Sequence, residues 1–185
     1  MRQRFGLMAT LGNARIPLQV EIGFGDAVTP GVETVAFPTL LDFPAPTIRV
    51  HPPETVIAEK YQAMVSLGMV NTCMKDFYDL RALSADHGFD GATLVATIAA
   101  TFARRDTPLP PEPPVALTRV FGGDRTKQAQ WRAFLARGRL TDGSSELGTV
   151  TDRLRDFLWP PTEAARESRD FPAAWLPSIG WTDDR

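Results

Sequence analysis

The sequence predicts an α+β fold: a small antiparallel or mixed sheet followed by a helical bundle. Three observations predict it. Leu18, Val20, Ile22 and Phe24 alternate with Gln19, Glu21 and Gly23, the two-residue period of a strand with one apolar face. Ile57, Tyr61, Met64 and Val65 recur at the spacing of one helical face. Prolines at 30, 38, 44 and 46 punctuate the region before Val50 and mark edges and loops, whereas Pro52-Pro53 sits where a helix begins.

The β region spans residues 1–50. Its clearest strand is the PLQVEIGFGD run, relaxed by Gly23 and Gly25 and turned at Asp26, and Thr34–Phe37 and Thr47–Val50 are shorter strands. A helical region spans 51–158. Its first helix starts at Pro52-Pro53 and stops at Gly68, because glycine accepts the backbone conformation that closes a helix. The next runs from about Met74 to Ala85, closed by His87-Gly88. Asp90 introduces a third, carrying Leu94, Ile98 and Phe102 on one face as far as Arg105. The stretch TPLPPEPPVAL, from Thr107 to Leu117, is extended and stiff. Trp131, Phe134 and Leu135 mark a further helix, and Leu147, Val150, Leu154, Phe157 and Leu158 mark the last. Residues 159–185, beyond Trp159-Pro160-Pro161, form an irregular tail with Trp175 and Trp181 as anchors.

The chain has 185 residues, enough for one domain with an appended tail and a core of its own. A net charge of -2 exerts no global pull toward polyanions or membranes. From Arg119 to Arg139, however, Arg119, Arg125, Lys127, Arg132, Arg137 and Arg139 face a single acid, Asp124. Arg125, Lys127 and Arg132 are the candidates for contact with RNA; a solvated helix face is the alternative. A lone cysteine, Cys73, excludes an internal disulfide framework and suits a reducing compartment. The opening MRQRFGLMATLG is too short and too broken by glycine for a secretory segment, so the cytoplasm is the expected location.

Lys60 sits at the rim of the core side of its helix, with Glu59 nearly opposite. On the following helix Asp76 falls within the apolar arc of Phe77, Leu80 and Leu83, and Asp79 lies at its edge. A carboxylate on a core-facing arc is costly unless it is paired or lines a cleft. Two readings stay open: a salt bridge pinning the hairpin, or a cleft in which Lys60 meets a triphosphate and Asp76 positions the lysine or an attacking hydroxyl. Glu21, on the polar side of its strand and close to Asp26, is the candidate Mg²⁺ ligand. His51 and His87 have no partner at metal-ligand spacing, and Arg104-Arg105 suits a helix C-terminus. There is no Walker-type loop, no G-x-S-x-G, no H-E-x-x-H and no D-x-D; Asp183-Asp184 has the wrong spacing.

The run PPETVIAEKYQAMVSLGMVNTCMKDFYDLRAL, from Pro52 to Leu83, resembles the helical hairpin of the AbiEii/AbiGii nucleotidyltransferase toxins. The stretch IPLQVEIGFGDAVTP resembles the strand that precedes it, and TFARRDTPLP and QWRAFL extend the likeness, which covers about Arg2 to Leu158. E-x-x-x-A-E-K together with K-D-F-Y-D-L carries most of its specificity. The resemblance implies that residues 1–50 are the back of a nucleotidyltransferase-like core. It implies a type IV toxin that transfers nucleotides from an NTP to RNA, tRNA acceptor ends included, with Mg²⁺ and a cognate antitoxin. Lys60 would bind the NTP, Asp76 would serve catalysis, and Glu21 would complete the metal set. Two departures qualify this. The family's D-x-D motif would lie before Met1, so an N-terminally truncated and inactive chain is expected, with a homodimer formed through the incomplete sheet. The other is near Thr72-Cys73, where related sequences often carry arginine. The rival expectation is a non-catalytic module that keeps the hairpin for stability and binds a protein or RNA.

Overall fold

The computed structural model describes residues 2–24, 28–140 and 146–183. It is an α+β fold: small antiparallel sheets precede six helices, and a last sheet closes against them. Strands β1 (Arg2–Leu11) and β2 (Ala14–Gly23) form one hairpin, turned at Gly12 with φ +57°. Strands β3 (Glu33–Ala36) and β4 (Thr47–Val50) form a second. Asp26 lies outside the described residues, as does Asp184.

The β1–β2 register places Phe5 opposite Val20, Leu7 opposite Leu18, Ala9 opposite Ile16 and Leu11 opposite Ala14. Successive side chains point to opposite faces, so one face is apolar from the Phe5–Val20 pair to the Leu11–Ala14 pair and ends at Ile22 opposite Gln3. The other carries Arg4, Gln19 and Glu21. Phe5, Leu7, Ile16, Leu18, Val20 and Ile22 all remain exposed.

Helix α1 (Pro53–Leu67) has a proline in its first turn, where the absent N–H costs no intrahelical bond, and ends at Gly68 with φ +48°. A short 3₁₀ turn, Gly68–Val70, leads to α2 (Met74–Asp86). Buried Asn71 ties down that entrance, its Oδ1 accepting from the Cys73 N–H at 2.8 Å. Strand β5 (Phe89–Asp90) precedes α3 (Gly91–Arg104), whose N-terminus is capped by Asp90 accepting from the Thr93 N–H. The proline-rich stretch runs into a 3₁₀ turn at Val115–Leu117 and then α4 (Arg119–Gly122). Asp124 caps α5 (Arg125–Gly138) by accepting from the Lys127 N–H. The longest helix is α6 (Leu147–Glu167). Buried Thr55 and Thr97 both donate to the Thr29 carbonyl, fastening the segment before β3 to α1 and α3.

One core joins the helices. Ile57, Tyr61 and Met64 of α1, Phe77 and Leu80 of α2, Leu94, Ile98 and Phe102 of α3, and Leu154, Phe157 and Leu158 of α6 are buried together. Phe77 stacks on Phe121 with ring centroids 4.9 Å apart. No helix among the described residues is long and apolar enough to cross a membrane.

The tail corrects the expectation of irregular structure after residue 158. Helix α6 continues through Pro160 and Pro161 to Glu167. Strands β6 (Ala173–Leu176) and β7 (Gly180–Asp183) then pair with β5 in the order β5-β6-β7. Prolines inside a helix forfeit the N–H that would bond the carbonyl four residues back, here those of Asp156 and Phe157. Asp156 is exposed, where solvent can serve. Phe157 is buried, and its carbonyl accepts instead from the Trp181 indole N–H at 3.0 Å. Just beyond, the Thr162 hydroxyl donates to Leu158 O at 2.6 Å. Trp175 is buried against Phe157, and its indole N–H donates to Ser84 O at 2.8 Å. Both tryptophans anchor the tail.

Candidate functional site

The helical pair α1–α2 brings Lys60 and Asp76 together. Lys60 lies on the turn beside buried Ala58 and Tyr61, and Asp76 in the first turn of α2 beside buried Phe77. Packing of these neighbours aims the two polar side chains at each other at the edge of the core. The Lys60 Nζ donates to Asp76 Oδ1 at 2.6 Å and meets Asp79 Oδ2 at 2.8 Å. Lys75 also reaches Asp79, one turn along its own helix. The side chains of Lys60, Asp76 and Asp79 are 20%, 19% and 23% exposed, so all three stand at the rim, not in the interior. Asp79 is the residue that sequence reasoning placed only at the edge of the arc. Its spacing of three from Asp76 was the available signal, since residues three apart share a helix face.

The electrostatics follow. Burial alone disfavours the Lys60 ammonium, but hydrogen bonds and charge from Asp76 and Asp79 outweigh it and hold its pKa above the ordinary lysine value. Burial likewise works against ionised Asp79, and Lys60 and Lys75 overcome it, so its pKa is lowered. Partial burial and a hydrogen bond with Asp76 raise the Cys73 thiol. An ammonium has three donors. Two are taken by Asp76 and Asp79.

These shifts set a pH dependence. A carboxylate whose folded pKa is depressed adds stability that is full above its unfolded value, near 3.9 for aspartate, and is lost as pH falls through the folded value. Asp79→Asn is therefore less stable than wild type at neutral pH, and the gap closes below about pH 4. Urea midpoints of both proteins between neutrality and acid pH measure this; a gap that stays constant across the range refutes it.

The other predicted site residues fall elsewhere. Glu21 is exposed on the polar face of the β1–β2 hairpin, where Arg4 binds it at 2.6 Å and Gln19 donates to it at 3.0 Å. It does not join Asp76 and Asp79. The metal set expected around it is not assembled: among the described residues no group of three His, Cys, Asp or Glu gathers to hold a metal. The acids at hand are engaged by lysine or arginine, so this donor set does not fit Mg²⁺, which takes oxygen ligands. Lys127 is corrected as an RNA contact. It is 5% exposed, its Nζ donating to Asn71 O at 2.8 Å and lying 5.2 Å from the centre of the Phe121 ring. Arg125 and Arg132 are exposed on α5. Glu59, turned away from Lys60, meets Arg105 at 3.3 Å.

The family profile described as "Nucleotidyl transferase AbiEii toxin, Type IV TA system" matches residues 2–162. The chain belongs to the AbiEii family. Its match spans the β region, the α1–α2 pair with Lys60, Asp76 and Asp79, and α6 as far as the two internal prolines. The β6–β7 hairpin lies beyond the AbiEii match yet packs on the same core. Among curated proteins and solved structures no match is found.

Proposed function

We propose that this AbiEii chain binds a nucleoside triphosphate at the α1–α2 rim, as part of transferring nucleotides to RNA, with tRNA acceptor ends as the substrate class. The observation that carries the reading is the Lys60 ammonium, fixed by two carboxylates at 2.6 and 2.8 Å with one donor left over. Asp76 and Asp79 hold the lysine in place, and its remaining N–H takes a phosphate oxygen. Charge-assisted bonds of this kind are the strong ones. Membership of a type IV toxin family carries with it a cognate antitoxin as the functional counterpart.

Phosphoryl transfer by metal ions needs clustered carboxylates. The described acids do not form such a cluster, and the 185 residues contain no D-x-D. The chain by itself is thus proposed to bind nucleotide without transferring it. The test has two arms. Fluorescent ATP titrated into the full chain is expected to bind, and Lys60→Ala to weaken that binding at least about tenfold, the loss of roughly one charged hydrogen bond. Labelled NTP with total tRNA and Mg²⁺ is expected to give no incorporation. Incorporation that Lys60→Ala abolishes would show the chain to be a complete enzyme; nucleotide binding indifferent to Lys60 would make the cluster a structural pin.

A second reading is favoured by one feature. The apolar face of the β1–β2 hairpin is uncovered, as expected of a module that associates with another chain. A homodimer through that face is its simplest form.

A further inference from the structure

The cleft where α5 meets the start of α2 has a volume of about 580 Å³ and is lined by Thr72, Cys73, Lys75, Gln130, Phe134 and Arg137. Two cations from different helices converge on it, over an apolar wall formed by Phe134. The cleft adjoins a longer basic surface. Helix α5 contains no acidic residue. Arg125 and Arg132 lie seven residues apart, close to two helical turns, on one stripe, and Arg139 follows at the left-handed C-cap of the helix. All three are exposed, as is Arg137, with exposed Ala129, Ala133 and Ala136 between them.

Pairing separates this surface from the rest of the molecule. Arg4, Arg105, Arg119, Arg155, Arg166 and Arg169 each meet a carboxylate. Arg125, Arg132, Arg137 and Arg139 meet none among the described residues, although the chain holds 22 acids against 20 lysines and arginines. Elsewhere such arginines are scattered singly, as at Arg15 and Arg49. Arg137 Nε reaches only the Ala133 carbonyl, at 3.4 Å. A surface that collects guanidinium groups without carboxylate partners, within a chain of net negative charge, is arranged for an anion supplied from outside.

We propose that the outer face of α5, together with the α2–α5 cleft, binds the phosphate backbone of single-stranded RNA. The distances select a polymer. Arg125 and Arg139 are separated by a rise of about 21 Å along the helix, far more than a triphosphate spans. The exposed alanines between the arginines let a strand lie close, and arginine suits phosphate through its planar fork of donors. The strand is also led somewhere. Cys73 lines the cleft and its carbonyl accepts from the Asp76 N–H at 3.1 Å, so an RNA end resting in the cleft lies about one helical turn from Asp76. This last point rests on the nucleotidyltransferase reading; the binding face does not.

The test is fluorescence anisotropy of the full chain with a labelled single-stranded RNA of ~12 nucleotides, across a range of KCl. Three or four phosphate contacts give a slope of log K on log salt of about −2 to −3. Arg132→Glu with Arg137→Glu is expected to weaken binding at least tenfold and to flatten that slope. Arg166→Glu, an exposed charge reversal on α6, is expected to leave it unchanged. Circular dichroism melts check that each variant is folded, and Arg125→Gln with Arg139→Gln gives a milder pair should the reversal disturb α5. Unchanged affinity in both α5 variants, an equal loss in Arg166→Glu, or displacement of the RNA by ATP at matched phosphate concentration overturns the proposal. Lys60→Ala keeps the two readings apart, since it should lose nucleotide and retain RNA. Absent RNA binding alongside Lys60-dependent nucleotide binding sinks this inference alone.

Discussion

Trp175→Ala should lower the stability of the chain by about 3–5 kcal/mol, the usual cost of truncating a buried aromatic. Trp175 is 3% exposed, packs on Phe157 and Trp181, and lies under the Arg153 guanidinium at 5.5 Å. Its indole N–H also satisfies Ser84 O, which Arg153 shares at 2.7 Å. Trp175→Phe keeps most of the ring and loses that bond, so its cost should be nearer 1 kcal/mol. Typical domains hold only ~5–15 kcal/mol in total, so the alanine variant stands close to unfolding. Urea denaturation reads both. An alanine variant with the wild-type midpoint would show that the hairpin beyond residue 162 contributes nothing to the fold.

The second large effect concerns assembly. The apolar face of the β1–β2 hairpin is ten residues long on each strand, which at ~3.4 Å per residue and ~4.8 Å between strands projects to on the order of 340 Å² before side-chain relief is added. That already matches the largest apolar patch of an ordinary monomer. Two such faces, with their relief, approach the ~1,000 Å² total that a specific interface clears. The strand edges are less inviting on β2, where Pro17 interrupts the row of donors. The expected result is face-to-face pairing of two copies, seen as a mass that rises with concentration in light scattering. Leu7→Lys with Leu18→Glu exchanges one apolar cross-strand pair for an opposite-charge pair, which keeps the hairpin while interrupting its face. That variant should elute as a monomer. Wild type that is monomeric at high concentration disposes of the dimer.

Much of the helical part was legible because its signals are local. Pro53 and Gly68 bound α1, Asp90 opens α3, and the apolar spacings of Tyr61, Leu80 and Ile98 point inward as read. The contact between Lys60 and Asp76 was legible for the same reason: each sits on the core side of its own helix. Most of what escaped depends on partners distant in sequence. Strand β1 was not singled out within the β region because Gly6 and apolar Met8 fall among Phe5, Leu7, Ala9 and Leu11 and blur their alternation. Lys127 looked like a surface cation because its acceptor, Asn71 O, lies 56 residues away. Glu21 looked like a metal ligand because Arg4, its neighbour across the strand pair, is 17 residues back. Pro160-Pro161 read as the end of a helix because the indole that replaces the missing donor belongs to Trp181.

That last replacement has a consequence for synthesis. While the chain is emerging from the ribosome, α6 can form up to its prolines, but the Phe157 carbonyl has no donor until residue 181 has been made, and burying it before then carries the cost of an unsatisfied polar group. The middle of the longest helix therefore reaches its final state only after the β6–β7 hairpin has been translated. A nascent chain stopped short of Trp181 leaves the buried Phe157 carbonyl without that donor.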